Sequence, residues 1–321
     1  MSVRRAMRAS FAAALVVLLA TACGGGGGAS ATNSDSGLGK TQIKVGMMPI
    51  IDTAPFYIAK KRGFFKEAGL DIKTVTIQGG AEAVPKLQQG ALDISFGNYV
   101  SVVLAQSKGL KMHIAAEGYN AKDGVHVIMA MPDSGIRTVK DLEGKTIAVN
   151  TKHNVSTLLT KSTLKVHGVD PKSVKFVEVP FPEMLNVLKS GEVDAAYPVE
   201  PFISAMKKKL GAHLVVDVAQ GPTKNWPIAG YFSTKEFYEK YPKTVQAFAD
   251  AMQRAQKIAH DQKAVEKIVP TYTKIDPETM AVVSIGEYPT TVDASRIQRV
   301  ADLMLKFGLL DEPVDVSKMI A

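Results

Sequence analysis

Short polar residues stand at the starts of the predicted helices in this sequence, and they are the residues best placed to bind a ligand. Each follows a segment that reads as a β-strand. In open α/β sheets ligands bind beyond the carboxyl ends of the strands, where free backbone N–H groups and the helix dipole favour anions and polar acceptors. We therefore predict a binding site formed by Asp52, Thr53, Gly80, Ala81, Asn98, Tyr99, Asn120, Asn154, Ser156, Tyr197 and Glu200.

Two aromatic residues, Tyr57 and Trp226, complete the predicted site. Simpler roles stay open for several of its members. Helix capping alone explains some residues, core packing explains the tyrosines, and hinge packing explains Trp226, the sole tryptophan. The residues that capping explains equally well are Thr53, Asn98, Asn154 and Ser156. Glu200, an acid flanked by prolines after a predicted strand, is the hardest to assign to the core.

Common catalytic motifs are absent from the sequence. It contains no G-x-S-x-G, H-E-x-x-H, P-loop or G-x-G-x-x-G pattern. The six histidines show no close metal-ligand spacing. The chain is therefore predicted to be a binding protein without cofactor or metal, and not an enzyme.

The only cysteine, Cys23, ends an N-terminal segment that has the layout of a secretory signal. Three arginines precede an apolar run over residues 11–22, which is too short to span a membrane. Small residues lead into the cysteine, and the stretch resembles a bacterial lipobox. We predict a signal peptide over 1–22 and a lipidated Cys23 that opens a flexible tether over 23–40. The alternative is an ordinary signal cleaved near Ala22.

Net charge and cysteine content exclude several classes of protein. The formal charge of +8 falls to +5 without the predicted signal, and no dense basic stripe with interleaved aromatics remains, so nucleic-acid binding is not predicted. A single cysteine allows no internal disulfide. About 280 residues follow the signal and tether, enough for one large domain or two lobes.

Strands alternate with helices of 10–15 residues, which predicts an α/β fold with mostly parallel sheets. The pattern occurs twice, and L-x-x-G-x-x-D recurs at the same place in both series, at 87–93 and 188–194. We therefore predict two similar lobes, lobe 1 over 41–127 and 226–321 and lobe 2 over 128–225.

Two further predictions concern helices. Residues 53–69 read as one helix that Thr53 caps and Gly69 ends. Helices near the C-terminus are expected to cover lobe 1, after the chain has crossed back near Trp226.

Four stretches carry a resemblance to a known family: "IKVGMMPIIDTAPFYIAKKRGFFKEAGLDI", "GGAEAVPKLQQGALDISFGN", "VKDLEGKTIAV" and "VLKSGEVDAAYPVEPF". They resemble the substrate-binding proteins of ABC importers, in particular the nitrate/sulfonate/taurine and thiamine-pyrimidine-precursor branch. The resemblance covers the chain from residue 41 onward. It implies a periplasmic-binding-protein type II fold, in which two lobes joined by crossing strands close on a small ligand. A monomer tethered to the outer face of the membrane beside its permease is expected.

The sequence leaves the class of ligand open. The resemblance slightly favours a sulfonate, nitrate or taurine, for which Lys152 and His153 are the candidate cationic partners. Against an anion stand Asp52, Glu82 and Glu200. A flat heteroaromatic ligand suits the tyrosines and the tryptophan, with an acid accepting from its N–H groups. A fungal pyrimidine synthase resembles the same branch, but its chemistry needs a histidine-rich site with cysteine, which this chain lacks.

Overall fold

The computed structural model describes residues 37–320, whose strands form two five-stranded sheets. The first sheet contains β1 (Gln42–Met47), β2 (Asp71–Thr76), β3 (Ile94–Asn98), β4 (Met112–Asn120) and β10 (Pro227–Thr234). The second contains β5 (Val127–Ala130), β6 (Thr146–Val149), β7 (Lys175–Glu178), β8 (Ala195–Ala196) and β9 (His213–Asp217).

The two sheets have matching topologies. The first runs β2-β1-β3-β10-β4, with β1 parallel to β2 and β3, and with β10 antiparallel between β3 and β4. The second runs β7-β6-β8-β5-β9, with β6 parallel to β7 and β8, and with β5 antiparallel between β8 and β9. The chain passes between the sheets after β4 and again after β9. We call the first sheet and its helices lobe 1 and the second sheet and its helices lobe 2.

Helices flank both sheets, so the expected α/β class is confirmed. Lobe 1 carries α1 (Ala54–Arg62), α2 (Phe64–Glu67), α3 (Gly80–Gln88) and α4 (Tyr99–Ser107), and lobe 2 carries α5 (Val155–Val166), α6 (Met184–Ser190) and α7 (Phe202–Leu210). After β10 follow α8 (Lys235–Lys240), α9 (Pro242–Ala259), α10 (Gln262–Ile268), α11 (Pro277–Met280) and α12 (Ala294–Lys306).

Amphipathic packing explains where the C-terminal helices lie. Val245, Phe248 and Met252 recur at helical spacing on α9 and are buried, and this helix packs on α1 and β4. The equivalent apolar stripe of α12 packs on α4. Both helices therefore cover lobe 1 as expected, whereas α11 contacts α7 of lobe 2. Among the described residues, no helix combines the length and apolar character needed to cross a membrane.

The prediction of one helix over 53–69 was wrong. Gly63 adopts a left-handed conformation with φ +80° and ends α1 there. The chain turns, and Phe65 of α2 packs against Phe56 and Phe248 in the core. Thr53 precedes α1 but does not cap it, because its hydroxyl donates to backbone carbonyls before the helix.

Crossing strands were expected from the resemblance, but three strands next to the passages between the sheets were not located in the sequence. They are β5, β9 and β10, and they are central or edge strands of the two sheets. Val127, predicted to end lobe 1, starts β5 in the sheet of lobe 2. The other lobe boundaries stay predictions.

Candidate functional site

A small cavity of about 30 Å³ lies between the two sheets, at the carboxyl ends of their parallel strands. Both lobes contribute to its lining. Lobe 1 supplies the turn after β1, the end of β3 and the start of β10, and lobe 2 supplies the turns after β6, β7 and β8. The lining residues are Met48, Ile50, Asp52, Phe96, Asn98, His126, Asn150, Val155, Ser156, Phe181, Tyr197, Val199, Ile228 and Ala229.

Four of the residues predicted from the sequence line this cavity: Asp52, Asn98, Ser156 and Tyr197. Nine others lie outside its lining, namely Thr53, Tyr57, Gly80, Ala81, Tyr99, Asn120, Asn154, Glu200 and Trp226. Cys23 lies outside the described residues. The assignment of binding roles to these residues stays a prediction.

Asp52 is the one acid in the lining. It lies in the short 3-10 turn Ile51–Thr53 between β1 and α1, and only 2% of its surface is exposed. Its Oδ1 has no hydrogen-bond partner among the described residues. Burial raises the pKa of Asp52 from 3.8 to about 7, although a hydrogen bond from its own backbone opposes the change. An unpartnered buried carboxyl is costly in a folded chain.

His126 is the second unsatisfied group in the lining, and the sequence analysis missed it. It directly precedes β5 and is 1% exposed. Its Nδ1 lies 3.1 Å from the Tyr197 hydroxyl, and its Nε2 has no partner among the described residues. Burial lowers the pKa of His126 to about 3, so the ring is neutral and one nitrogen donates while the other accepts.

Tyr197 connects this histidine to lobe 2. Its backbone N–H donates to Ala148 of β6 at 2.8 Å, which fixes the residue directly after β8. Burial raises the pKa of its hydroxyl well above 10, so the group is neutral. The pair therefore offers hydrogen bonds but no charge.

The polar turn after β6 satisfies its own hydrogen bonds. Asn154 donates through Nδ2 to Asn150 Oδ1 at 2.7 Å and to the hydroxyl of Thr151 at 2.8 Å. Its Oδ1 accepts from the backbone and side chain of Ser156 and caps α5. Asn98 similarly caps α4 by accepting from the Ser101 backbone at 3.0 Å. Both asparagines therefore cap helices, which is the simpler role that the sequence left open for them.

Glu200 does not face the cavity. Its carboxylate accepts from the backbone and hydroxyl of Ser204, at 3.1 and 2.9 Å, and from the backbone of Ser284 at 3.3 Å. Burial raises the pKa of Glu200, while the bonds to Ser204 and Ser284 oppose the change. The acid holds the start of α7 to the C-terminal segment, and its role in binding a ligand stays a prediction.

The predicted aromatic residues pack against protein. Tyr57 is half-buried, and its ring stacks on Tyr272 with the ring centres 3.7 Å apart. Trp226 is 2% exposed and lies where the chain crosses back, with its carbonyl accepting from the Ala121 backbone at 2.8 Å. Both positions agree with the packing roles that the sequence left open.

The remaining predicted residues also have structural neighbours. Gly80 packs so closely on Ser101 that an added Cβ would lie 2.7 Å from the serine Cβ, and the next residue, Ala81, is exposed. Asn120 is buried and pairs through its backbone with Glu287. Tyr99 is buried in lobe 1 with its hydroxyl unpartnered among the described residues.

Two hydrogen bonds join the lobes beside the cavity. The Nδ2 of Asn150 donates to the Gln78 carbonyl at 3.1 Å, and the Ile51 backbone donates to the Glu200 carbonyl at 3.1 Å. A cavity of about 30 Å³ holds on the order of two water molecules. The lobes or their side chains must therefore move apart to admit an organic ligand.

Basic residues are absent from the part of the lining that the structure describes. Lys152 and His153, the candidate cationic partners for an anion, are both exposed and do not belong to it. Over residues 37–320, no group of three or more His, Cys, Asp or Glu is arranged to hold a metal ion. The lining combines a buried acid, a neutral histidine and apolar walls.

Comparison with known proteins finds a matching family model and relatives that are named as binding proteins. A family model described as NMT1/THI5 like matches residues 50–264. A putative aliphatic sulfonates-binding protein of Bacillus subtilis is 24% identical over 295 residues, covering 87% of this chain and 85% of that protein. The taurine-binding periplasmic protein of Escherichia coli is 30% identical over 196 residues, covering 60% of this chain and 59% of that protein. The chain spans only 43% of a nitrate import ATP-binding protein, NrtC, from Synechocystis, at 23% identity over 85% of this chain.

Solved structures share the fold. The periplasmic nitrate-binding protein NrtA from Synechocystis superposes with a TM-score of 0.73 at 16% identity, over 87% of this chain and 86% of that one. The desulfurization enzyme DSZB superposes with a TM-score of 0.64 at 18% identity, over 88% of this chain and 96% of that one. The expected periplasmic-binding-protein fold is confirmed, and the same fold serves both binding proteins and an enzyme.

Proposed function

The chain belongs to the NMT1/THI5-like family, and on that premise we propose that it is the extracytoplasmic substrate-binding protein of an ABC importer. It captures one small organic ligand between its two lobes and delivers it to the permease. The observation that carries this proposal is the cavity between the sheets, which holds two buried and unpartnered polar groups, on Asp52 and His126. Relatives named for binding sulfonates and taurine support it.

Capture requires the lobes to separate and close again. The two passages between the sheets, after β4 and after β9, serve as the hinge. Closure forms the hydrogen bonds of Asn150 with Gln78 and of Ile51 with Glu200, and a ligand adds contacts that only the closed state makes. Ligand binding therefore shifts the population toward closure.

The class of ligand has two candidates. The names of the relatives favour a sulfonate, nitrate or taurine. The apolar walls, with Phe96, Phe181 and Ile228 among them, favour a pyrimidine-like or aromatic molecule. Both candidates belong to the same transport function.

Binding without turnover is the expected behaviour, although an enzyme shares the fold. Catalysis by a serine nucleophile needs a hydroxyl paired with a base. In the cavity Ser156 donates to the Asn154 side chain, and His126 is paired with a tyrosine. Repeated release of a chemically altered product in a steady-state assay would show that the protein is an enzyme.

The N-terminal segment provides the link to the membrane in this proposal. Signal cleavage before Cys23 and lipidation of its thiol would attach residues 37–320 through the Gly/Ser tether to the outer face of the membrane. Mass spectrometry of the mature protein from a bacterial host tests this, since an acylated Cys23 must be the first residue. A mature form that starts elsewhere removes the anchor.

The transport function is tested by a thermal-shift screen followed by scattering. The screen contains alkanesulfonates, taurine, nitrate, pyrimidines and aromatic carboxylates. A ligand at 100 times its dissociation constant stabilises the folded state by about 2.7 kcal/mol, which shifts the melting temperature measurably. A true ligand also makes the protein more compact in X-ray scattering, because the lobes close on it. A hit that leaves the radius of gyration unchanged binds elsewhere.

A further inference from the structure

We infer that the ligand of this cavity is a nitrogenous organic molecule that presents an N–H donor, from an amine, an amidine or a heterocyclic ring, to Asp52 of lobe 1. The inference rests on the proposed function and names the chemistry of its ligand. It distinguishes such molecules from anions of similar size that have no N–H group.

The first argument is the unpartnered Asp52 Oδ1 atom, which lies in the cavity lining with 98% of the residue buried. With a pKa of about 7, the ionised form of Asp52 is well populated at and above neutral pH, and in that form its oxygens only accept hydrogen bonds. Leaving such an acceptor buried without a donor opposes folding. A ligand N–H removes this cost, whereas a sulfonate or nitrate oxygen adds a second acceptor beside the first.

The second argument is that, among the described residues, no titratable group around this acid carries a positive charge or donates to its Oδ1. His126 in the same lining is neutral. The other titratable groups that interact with Asp52 are tyrosine hydroxyls, and burial raises the pKa of each, so all are neutral: Tyr119, Tyr197, Tyr231, Tyr272 and Tyr288. Two of them donate elsewhere, Tyr272 to the Ile50 carbonyl and Tyr288 to the Ile51 carbonyl. No lysine or arginine of residues 37–320 lines the cavity. None of these groups hydrogen-bonds to Asp52 Oδ1, so a ligand N–H can supply the donor that this oxygen lacks.

His126 adds a second point of recognition. Its Nε2 is buried in the same lining and has no partner among the described residues, while its Nδ1 is held by Tyr197. A neutral imidazole nitrogen can donate or accept, depending on the tautomer that the tyrosine selects. The ligand therefore bears an N–H group for Asp52, a second hydrogen-bonding atom for His126 and an apolar body for Phe96, Phe181 and Ile228.

The test is calorimetric titration of the mature protein with matched pairs of compounds that differ in one N–H group. Taurine is paired with ethanesulfonate, and 4-aminopyrimidine is paired with pyrimidine; nitrate serves as a further anion. In at least one pair, the member that has the N–H group binds at least tenfold more tightly. If ethanesulfonate or nitrate binds as tightly as any N–H compound, this inference fails while the transport function stands. If no compound of any class binds, both fail.

Variants then locate the effect at Asp52. Asp52→Leu keeps a similar side-chain shape but cannot accept, and we expect its affinity for the N–H compound to fall roughly 10- to 150-fold, the range for hydrogen bonds to charged groups. Asp133→Asn is the control for loss of one negative charge, because Asp133 is exposed in lobe 2. The affinity of this variant for the N–H compound should equal that of the wild type. Unchanged affinity of Asp52→Leu overturns the inference.

Asp52→Asn separates the two ways in which this carboxyl can bind. A protonated carboxyl that donates to an anion is replaced well by an amide N–H, so affinity for ethanesulfonate or nitrate would be kept or increased. An ionised carboxylate that accepts from a ligand N–H is replaced poorly, so affinity for the N–H compound that binds in the matched pairs would fall at least tenfold. The second result supports the inference, and the first overturns it.

Discussion

Lobe 1 and lobe 2 share their turn geometry but differ in how they satisfy their polar groups. In each lobe a glycine ends a helix in the left-handed conformation, Gly90 at φ +69° and Gly191 at φ +74°. Three residues later an aspartate accepts from the parallel neighbour of the strand that follows it, Asp93 from the Lys44 N–H of β1 and Asp194 from the Thr146 N–H of β6, both at 2.8 Å. The same sequence pattern therefore makes the same hydrogen bond twice.

The lobes differ at the turns that face the cavity. After β1 of lobe 1, Asp52 has an oxygen without a partner. After β6 of lobe 2, Asn150 and Asn154 bond to each other and to their neighbours. The turn of lobe 1 therefore leaves an acceptor without a donor, while the turn of lobe 2 satisfies its own hydrogen bonds.

The largest expected effect is at Asp52, in the protein without ligand. Burial raises its pKa in the folded state to about 7 from the ordinary 3.8, so from pH 4 to pH 7 Asp52 is ionised in the unfolded chain and protonated in the folded one. Folding stability is therefore lost as the pH rises through this window and levels off above pH 7. Asp52→Asn removes the loss, and the stability of the variant relative to wild type should grow by up to roughly 4 kcal/mol between pH 4 and 8.

Chemical denaturation at several pH values measures this difference. The contribution of His126 to folding stability has the opposite sign. Its pKa is lowered to about 3 in the folded state, so below pH 6.5 the unfolded state binds more protons and stability is lost as the pH falls. That contribution is common to wild type and variant, so it cancels in the difference. A difference that does not change with pH would show that Asp52 is ionised in the folded state.

The second prediction compares the two helix caps. Asn154→Ala removes the cap of α5 and leaves Asn150 Oδ1 unpaired, so we expect a loss of about 3 kcal/mol of stability. Asn98→Ala removes the cap of α4 and a longer bond of 3.3 Å from the Ser101 hydroxyl, and it should cost about 1.5 kcal/mol. Urea denaturation of both variants measures the two losses. Equal losses would mean that the hydrogen bonds around Asn154 depend on one another no more than those around Asn98.

A smaller effect separates the two matching aspartates. Asp93 is 5% exposed and also pairs with Lys40 at 2.7 Å, so Asp93→Ala should cost about 2 kcal/mol. Asp194 is exposed and holds only the backbone N–H, so Asp194→Ala should cost about 1 kcal/mol. The melting temperatures of the two variants show which substitution costs more stability. A larger loss for Asp194→Ala than for Asp93→Ala contradicts the prediction.

The smallest effect concerns closure. Gly79 has extended backbone that any residue adopts, but an added Cβ would lie 3.1 Å from Asn150 Nδ2. Gly79→Ala should disturb the hydrogen bond from Asn150 to Gln78 and weaken ligand binding roughly three- to tenfold, the worth of one hydrogen bond. Titration with the tightest compound of the matched pairs measures this. The melting temperature without ligand is the control and should hardly change.

Local sequence was a good guide wherever a helix start or end depends on nearby residues. The alternation of strands and helices, and the glycines that end helices, follow from contacts within one element. The prediction failed at Gly63 because a phenylalanine after it gains more by packing on Phe56 and Phe248 than by continuing the helix. It also missed β10, whose partners Phe96 and Tyr119 lie more than 100 residues away in the chain.

The candidate site was only partly accessible from the sequence. Asp52 and Glu200 are both acids after predicted strands, and no residue near Asp52 in the sequence favours it over Glu200. One signal was available, since Ser204 lies four residues after Glu200 and bonds to it. The place of His126 in the cavity could not be predicted from the sequence. It depends on the pairing of β5, which follows His126 and whose partner strands lie far along the chain.

Sequence alone determined the α/β class, the two related lobes and the family, because each follows from residue patterns that neighbouring residues enforce. Tertiary structure decided which polar groups remain unsatisfied. Ser284, 84 residues from Glu200, occupies that acid, and no donor from residues 37–320 reaches Asp52 Oδ1. Hydrogen-bond satisfaction is a property of three-dimensional neighbours, so two acids with the same local setting can end with opposite roles.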